Sequence, residues 1–93
     1  MIVTGRGAEG SVMVTEVARY FCHAPQVPVQ SKVGAGDAFV GALTLALWRG
    51  DPPDQALRWG VAAASATVGT EGTALCDLAE TTRLFENCSV EPV

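Results

Sequence analysis

A turn of small residues followed at once by a carboxylate stands in the segment KVGAGDAF, residues 32–39. Small residues remove side-chain bulk, so an anion can approach the backbone N–H groups that lack partners in the first turn of a helix. Asp37 at that helix start could take a proton from a substrate hydroxyl while the N–H groups stabilise charge on a transferred group. Phosphoryl transfer needs this pairing, because positioning and charge neutralisation supply most of its catalysis.

The same residues also have a purely structural interpretation. Gly34 and Gly36 would then serve a tight turn, and Asp37 would cap the following helix. The short pattern is weak by itself, and it matches neither the Walker phosphate loop nor the dinucleotide-binding glycine fingerprint. The turn alone therefore leaves both interpretations open.

The residues before the turn predict strands. Residues 1–4 resemble a buried strand, and the glycine-rich stretch 5–10 predicts a loop. The β-prone runs 11–16 and 18–24 predict a hairpin. Valines alternate around Pro28, which favours an edge strand or an extended approach.

The residues after the turn predict three helices. The apolar period becomes helical at Asp37 and ends near Arg49, just before a glycine. A second helix is predicted over residues 53–68 and a short amphipathic one over 78–87, with a frayed tail after them. The second helix has one face of small residues that allows another element to approach closely: Ala56, Leu57, Gly60, Val61, Ala64 and Ser65.

Several other side chains are expected to be structural. Trp48 and Trp59 are expected to pack, Arg58 to be a solvated charge, and Asp51 to cap the second helix. His23 is the only histidine and has no local catalytic partner, so it is expected to face solvent or to be satisfied in the core.

Composition excludes several classes of protein. The chain has 93 residues, mean hydropathy +0.26 and net charge −4, and its six basic residues are scattered, which argues against nucleic-acid binding. No apolar run is long enough for a membrane span, and no secretory signal is present. The odd set Cys22, Cys76 and Cys88 has no CxxC spacing, which favours reduced thiols in the cytoplasm; the first two are expected to be buried.

The segment VGAGDAFVGAL resembles the signature of the ribokinase-like, phosphofructokinase B type, carbohydrate kinases. The resemblance continues in GRGAEGSVMV, which is similar to the family's nucleotide-binding strand–loop–strand. It continues again in ALRWGVAAASATVGTEGTALC, similar to the stretch that flanks the adenine and a monovalent cation. Nearly all of residues 2–85 fits in order and spacing.

The resemblance implies an α/β fold, the C-terminal part of a ribokinase-like three-layer α/β/α fold that is incomplete on its own. Residues 1–93 would be the nucleotide-binding portion of the kinase domain. Within it, residues 1–30 would supply strands and the ATP loop, 31–50 the anion-hole turn and its helix, and 51–93 the helices and the cation and adenine loop.

The resemblance also implies roles for individual residues. Asp37 would be the base, and Gly34, Ala35 and Gly36 would form the anion hole. The residues expected to bind the nucleotide are Gly5, Arg6, Gly7, Ala8, Glu9, Gly10, Val29, Val61 and Ser65. Main-chain oxygens expected to hold a potassium-like ion surround Ser31, Val33, Thr67, Thr70, Gly72 and Ala74.

The implied activity is ATP-dependent phosphoryl transfer to a sugar or phosphosugar hydroxyl, with fructose 6-phosphate as the expected acceptor and Mg²⁺ and K⁺ as cofactors. The family's sugar-binding residues and acidic magnesium motif are not among these 93 residues, so the chain alone is expected to be inactive. Apolar surface left uncovered would favour self-association. The alternatives are a non-catalytic nucleotide-binding or assembly module, and a related nucleoside or other carbohydrate kinase.

Overall fold

The computed structural model describes residues 2–5, 10–25, 34–68 and 78–93. In chain order the elements are strands β1 (Ile2–Gly5), β2 (Gly10–Val14) and β3 (Arg19–His23), helices α1 (Ala35–Trp48), α2 (Pro53–Val68) and α3 (Leu78–Phe85), and strand β4 (Ser89–Pro92). The predicted hairpin and the three predicted helices are confirmed. The valine-rich segment around Pro28 and the residue Cys76 lie outside the described residues.

The four strands form one antiparallel sheet in the order β1-β2-β3-β4. Met13 on β2 lies opposite Val3 on one side and Tyr20 on the other. Because side chains alternate along a strand, one face of the sheet points to the core, where Met13 and Cys22 are fully buried.

Two expectations about the ends of the sheet are wrong. The first strand is not buried: β1 lies at the end of the sheet formed by the described strands, and Ile2 is 67% exposed. The tail is not frayed, because β4 pairs along β3 and the Val93 N–H donates to the Arg19 carbonyl at 3.0 Å. The tail is ordered by the free edge of β3, with Val90 packing on the core.

Helix α2 is central to the packing, since it contacts α1, α3 and strands β2, β3 and β4. Ala56 and Leu57 are fully buried on it, which confirms the small-residue face. Gly60 permits α1 to approach α2 closely, since a Cβ built there would lie 3.1 Å from the Phe39 ring of α1. The absence of a side chain at this position sets how closely α1 and α2 pack.

Arg58 joins α2 to the end of α3. The expectation that Arg58 is a solvated charge is therefore wrong. Its Nη2 donates to the Phe85 carbonyl at 2.9 Å, and its guanidinium carbon lies 4.0 Å from the centroid of the Phe85 ring. Trp59 stacks on the same ring with centroids 4.1 Å apart, which confirms its expected packing. Arg58 and Trp59 of α2 both contact the Phe85 ring, so this one ring of α3 makes contacts that hold α2 and α3 together.

The structure contradicts the expected packing of Trp48 and the expected helix cap at Asp51, and it confirms that His23 faces solvent. Trp48, the last residue of α1, is 84% exposed and therefore does not pack against the described residues. Asp51 does not cap α2: it precedes Pro52, whose carbonyl accepts the first helical hydrogen bond, and its carboxylate binds Arg49. That hydrogen bond lowers the pKa of Asp51. His23 is exposed, with Nε2 3.1 Å from a Glu91 oxygen.

Within the described ranges, none of the helices combines the length and the apolar character that crossing a bilayer requires.

We predict that Gly60→Val lowers the free energy of unfolding by about 1–3 kcal/mol, because the added methyl groups meet the Phe39 ring. Gly41→Ala is the matched control: this exposed α1 glycine has no atom within 4 Å of a built Cβ. It should gain about 0.5–1 kcal/mol from helix propensity alone. Urea unfolding of both variants measures the difference, and a shift in the same direction for both would contradict the close-packing argument.

We also predict that substitutions at Gly5 and Gly10, the glycines on either side of residues 6–9, have very different effects on stability. Gly10 has φ +131° and a built Cβ 1.9 Å from the Cys22 carbonyl oxygen, so Gly10→Ala should cost about 2–4 kcal/mol. A Cβ built at Gly5 meets no atom of the described residues within 4 Å, and Gly5→Ala should stay within about 0.5 kcal/mol of the parent. Thermal or urea unfolding checks this, and equal effects at both positions would show the Gly10 argument to be wrong.

Candidate functional site

Helix α1 begins directly after a glycine, Gly34, which is its N-cap residue. Gly34 adopts a left-handed conformation, φ 83° and ψ −5°, and its carbonyl accepts from the Ala38 N–H at 2.9 Å. A residue with a side chain would be strained in that conformation. The N-cap residue is Gly34, so no side chain of that residue caps this end of the helix. The first N–H groups of an α-helix have no intrahelical partner and can bind another acceptor.

The described residues leave space in front of this helix end. A Cβ built at Gly36 would meet no atom of the described residues within 4 Å. Asp37 lies in the first turn, and its side chain is exposed. The positive end of the helix dipole points to the same space. An anion can thus reach the N–H groups with a carboxylate beside it.

The C-terminal end of α2 lies next to this turn. The Thr67 Cγ2 atom is 3.7 Å from the position of a Cβ at Gly34. Thr67 is buried, and its hydroxyl donates to the Ala63 carbonyl at 2.9 Å. The last carbonyls of a helix lack intrahelical partners and form the negative end of its dipole. The arrangement therefore places a region suited to a cation beside one suited to an anion.

Two predicted nucleotide-binding residues lie one helical turn apart on α2. Val61 is 3% exposed and belongs to the core cluster, while Ser65 is 7% exposed. Ser65 stands two residues before Thr67, so it lies close along the chain to the junction of the two helices. Their role at a nucleotide stays a prediction.

The candidate ATP loop connects β1 to β2. Gly5 ends β1 opposite Ser11, and Gly10 begins β2 opposite His23. The contact between a Gly10 Cβ and the Cys22 carbonyl gives this glycine a structural requirement of its own. The other predicted loop and cation residues lie outside the described residues: Arg6, Gly7, Ala8, Glu9, Val29, Ser31, Val33, Thr70, Gly72 and Ala74.

A groove of about 250 Å³ lies alongside α1 and was not predicted from the sequence. It is lined by Ala38, Ala42 and Ala46 from α1, facing Trp59 and Ala63 of α2. The signal that could have revealed it is the four-residue spacing of these α1 alanines, which leaves a shallow strip along one face of the helix. The groove begins one residue after Asp37, but its lining is mainly apolar and suggests packing rather than catalysis.

Comparison with known proteins shows which family the chain matches. The family described as pfkB family carbohydrate kinase matches residues 1–80. The chain is 37% identical over 84 residues to the ATP-dependent 6-phosphofructokinase isozyme 2 of Escherichia coli, covering 90% of this chain and 27% of that protein. It is 39% identical over 87 residues to the protein of the same name from Mycobacterium tuberculosis, covering 92% and 25%.

Solved structures agree with the sequence relatives. The phosphofructokinase-2 of Escherichia coli in complex with potassium superposes with a TM-score of 0.87 at 36% identity, covering 91% of this chain and 28% of that one. The chain thus spans about a quarter of the length of the curated relatives that it matches. The family resemblance inferred from the glycine turn is confirmed: the chain belongs to the pfkB family of carbohydrate kinases.

Proposed function

We propose that these residues form the phosphoryl-transfer and nucleotide-binding part of an ATP-dependent sugar kinase, in the C-terminal portion of a three-layer α/β/α domain. The observation that carries the proposal is the open, uncapped N-terminus of α1, with left-handed Gly34 before it and exposed Asp37 in its first turn. The relatives named as ATP-dependent 6-phosphofructokinases support it.

Asp37 acts as the general base in this proposal. Its carboxylate accepts the proton of the sugar hydroxyl as the hydroxyl oxygen bonds to the γ-phosphorus and the bond to the β-phosphate oxygen breaks, releasing ADP. The main chain of Gly34, Ala35 and Gly36 stabilises the charge on the transferred group. The open space at Gly36 leaves room for a phosphoryl group at the helix end.

The nucleotide is proposed to lie between the β1–β2 loop and α2. Its ligands would be the residues that the family resemblance indicates, Gly5 to Gly10 with Val29, Val61 and Ser65. The described ends of that loop, Gly5 and Gly10, are fixed in adjacent paired strands, which gives the loop a firm base.

A potassium ion is proposed beside the anion hole. Its oxygen ligands would come from the main chain around Ser31, Val33, Thr67, Thr70, Gly72 and Ala74. The approach of Thr67 to Gly34 supports this position, because the carbonyl end of α2 favours a cation there. Bound there, the ion would supply positive charge next to the anion hole.

Magnesium is proposed to arrive with the ATP phosphates. The described residues contain no group of three or more His, Cys, Asp or Glu side chains that could hold a metal ion. As the family resemblance indicates, the protein ligands of Mg²⁺ and the residues that hold the sugar are proposed to lie in the part of a kinase that corresponds to none of these 93 residues. On this proposal the 93 residues alone bind nucleotide in the cytoplasm and do not phosphorylate fructose 6-phosphate.

A second candidate is a non-catalytic nucleotide-binding or assembly module. The observation that favours it is the exposed apolar face of α1, where Val40 is 59%, Leu45 57% and Trp48 84% exposed. Such a face can dock another chain, including a second copy. A related Escherichia coli protein has been solved in a tetrameric inhibited form. A nucleoside or different carbohydrate acceptor is a variant of the first proposal.

We predict that Asp37→Asn lowers kcat about 100- to 10,000-fold in a chimera that carries this chain in place of the matching quarter of the Escherichia coli isozyme. The KM for ATP should change little, because the carboxylate acts on the acceptor hydroxyl. Asp54→Asn is the matched control, since Asp54 also lies in the first turn of a helix. Gly34, and not Asp37, is the N-cap residue of α1, so a purely structural Asp37 would act only on the helix dipole from the first turn. In that case the variant will lose thermal stability and keep its kcat.

We further predict that ATP with Mg²⁺ and K⁺ binds the 93-residue chain with micromolar affinity, measured by calorimetric titration. Asp37→Ala should bind equally well, since the proposed base does not hold the nucleotide. Replacing K⁺ by choline should weaken binding if the ion lies beside the phosphates. An absence of binding under all conditions would contradict a preformed nucleotide site in this chain.

A further inference from the structure

Two buried thiols meet where the chain leaves α3 and joins the sheet. Cys22 on β3 is fully buried, and Cys88, directly before β4, is 4% exposed. The register pairs Cys22 with Val90, so Cys88 stands two residues back on the same side of the strand. Both cysteines belong to the core cluster. Their positions make them diagonal neighbours across the β3–β4 pair.

Each thiol donates to a main-chain carbonyl, Cys88 to Leu84 at 3.3 Å and Cys22 to His23 at 3.8 Å. The two side chains also interact with each other, and this interaction is the largest influence on the pKa of both thiols. Together with the charge of Arg58 it lowers the pKa of Cys88, and together with burial it raises the pKa of Cys22. Within the pair, deprotonation is therefore favoured at Cys88.

Arg58 gives this pair an electropositive neighbour. Its guanidinium is held in place by Phe85 and Gln55, and its charge acts on both thiols. Its Nε atom is buried and has no hydrogen-bond partner among the described residues. A thiolate that forms transiently at Cys88 would thus have a nearby cation that stabilises it.

We propose that Cys22 and Cys88 form an oxidation-sensitive dithiol, which peroxide converts into a disulfide that fastens β4 covalently to β3. This modification site is independent of the proposed kinase chemistry. It uses neither Asp37 nor the turn at Gly34.

The oxidation is balanced with hydrogen peroxide as the two-electron oxidant. The Cys88 thiolate attacks one peroxide oxygen, the O–O bond breaks, and the released hydroxide takes up a proton to leave as water. The Cys22 sulfur then attacks the sulfenic sulfur of Cys88 and displaces hydroxide, which takes the Cys22 proton and leaves as a second water. Two S–H bonds are lost, and one S–S bond forms.

The position of β4 allows this bond to form. Closing the pair requires the sulfurs to approach to about 2.05 Å. Among the described strands β4 pairs with β3 alone, so local opening of this pair lets the sulfurs shift and admits the peroxide. Most of the chain lies between the two cysteines, so the closed bond constrains the unfolded state strongly.

Peptide mapping of the full 93-residue chain after peroxide treatment tests the proposal. The three cysteines fall on separate tryptic peptides, 20–32, 59–83 and 84–93. After alkylation of free thiols, we expect the folded chain to yield mainly the cross-linked pair 20–32 with 84–93, lighter by two hydrogens, and Cys76 alkylated. Oxidation in guanidinium is the control: there loop closure favours Cys76–Cys88 over Cys22–Cys88 by about tenfold.

A second measurement is the thermal unfolding of the chain before and after oxidation. Oxidation should raise the thermal midpoint by about 10 °C, dithiothreitol should reverse the rise, and Cys88→Ala should abolish it while Cys76→Ser keeps it. The same cross-links in folded and unfolded chain, a Cys76 cross-link in the folded chain, or Cys22 and Cys88 that remain alkylatable after peroxide would each overturn the proposal. The peptide map of the parent chain needs no variant, so it holds even if an alanine variant fails to fold.

Discussion

The close contact between α1 and α2 is the constraint on which the rest of the structure depends. Gly60 leaves a gap on α2 that the Phe39 ring of α1 occupies. The two helices are joined by a short connection and lie antiparallel, so the start of α1 meets the end of α2. The approach of Thr67 to Gly34 follows directly from that arrangement. The core contact thus sets the position of the glycine turn.

The antiparallel pairing also explains the electrostatics of the candidate site. Opposite ends of two helix dipoles lie side by side, so each stabilises the other before any ligand binds. A transferred phosphoryl group at the α1 end and a monovalent cation at the α2 end would extend this arrangement rather than disturb it. Asp37 supplies the one carboxylate in the first turn of α1.

Patterns local in sequence predicted the helices and the β2–β3 hairpin, because periodicity, glycine and proline act over a few residues. The course of the tail could not be predicted, since β4 exists only because the distant β3 offers a free edge. The role of Arg58 was missed for the same reason: its acceptor, the Phe85 carbonyl, belongs to another helix. For the site, the turn and Asp37 were visible locally, whereas the proximity of Thr67 depends on packing between helices.

The exposed face of α1 has a consequence for how the chain behaves in solution. Helix α1 is apolar on the side that meets α2 and again at Val40, Leu45 and Trp48, and a helix that is apolar all round is normally covered on both sides. At neutral pH the net charge of −4 keeps separate molecules apart. That repulsion vanishes near the isoelectric point of about 4.7 and is screened by salt, so the colloidal stability of the chain depends on charge rather than on a closed surface.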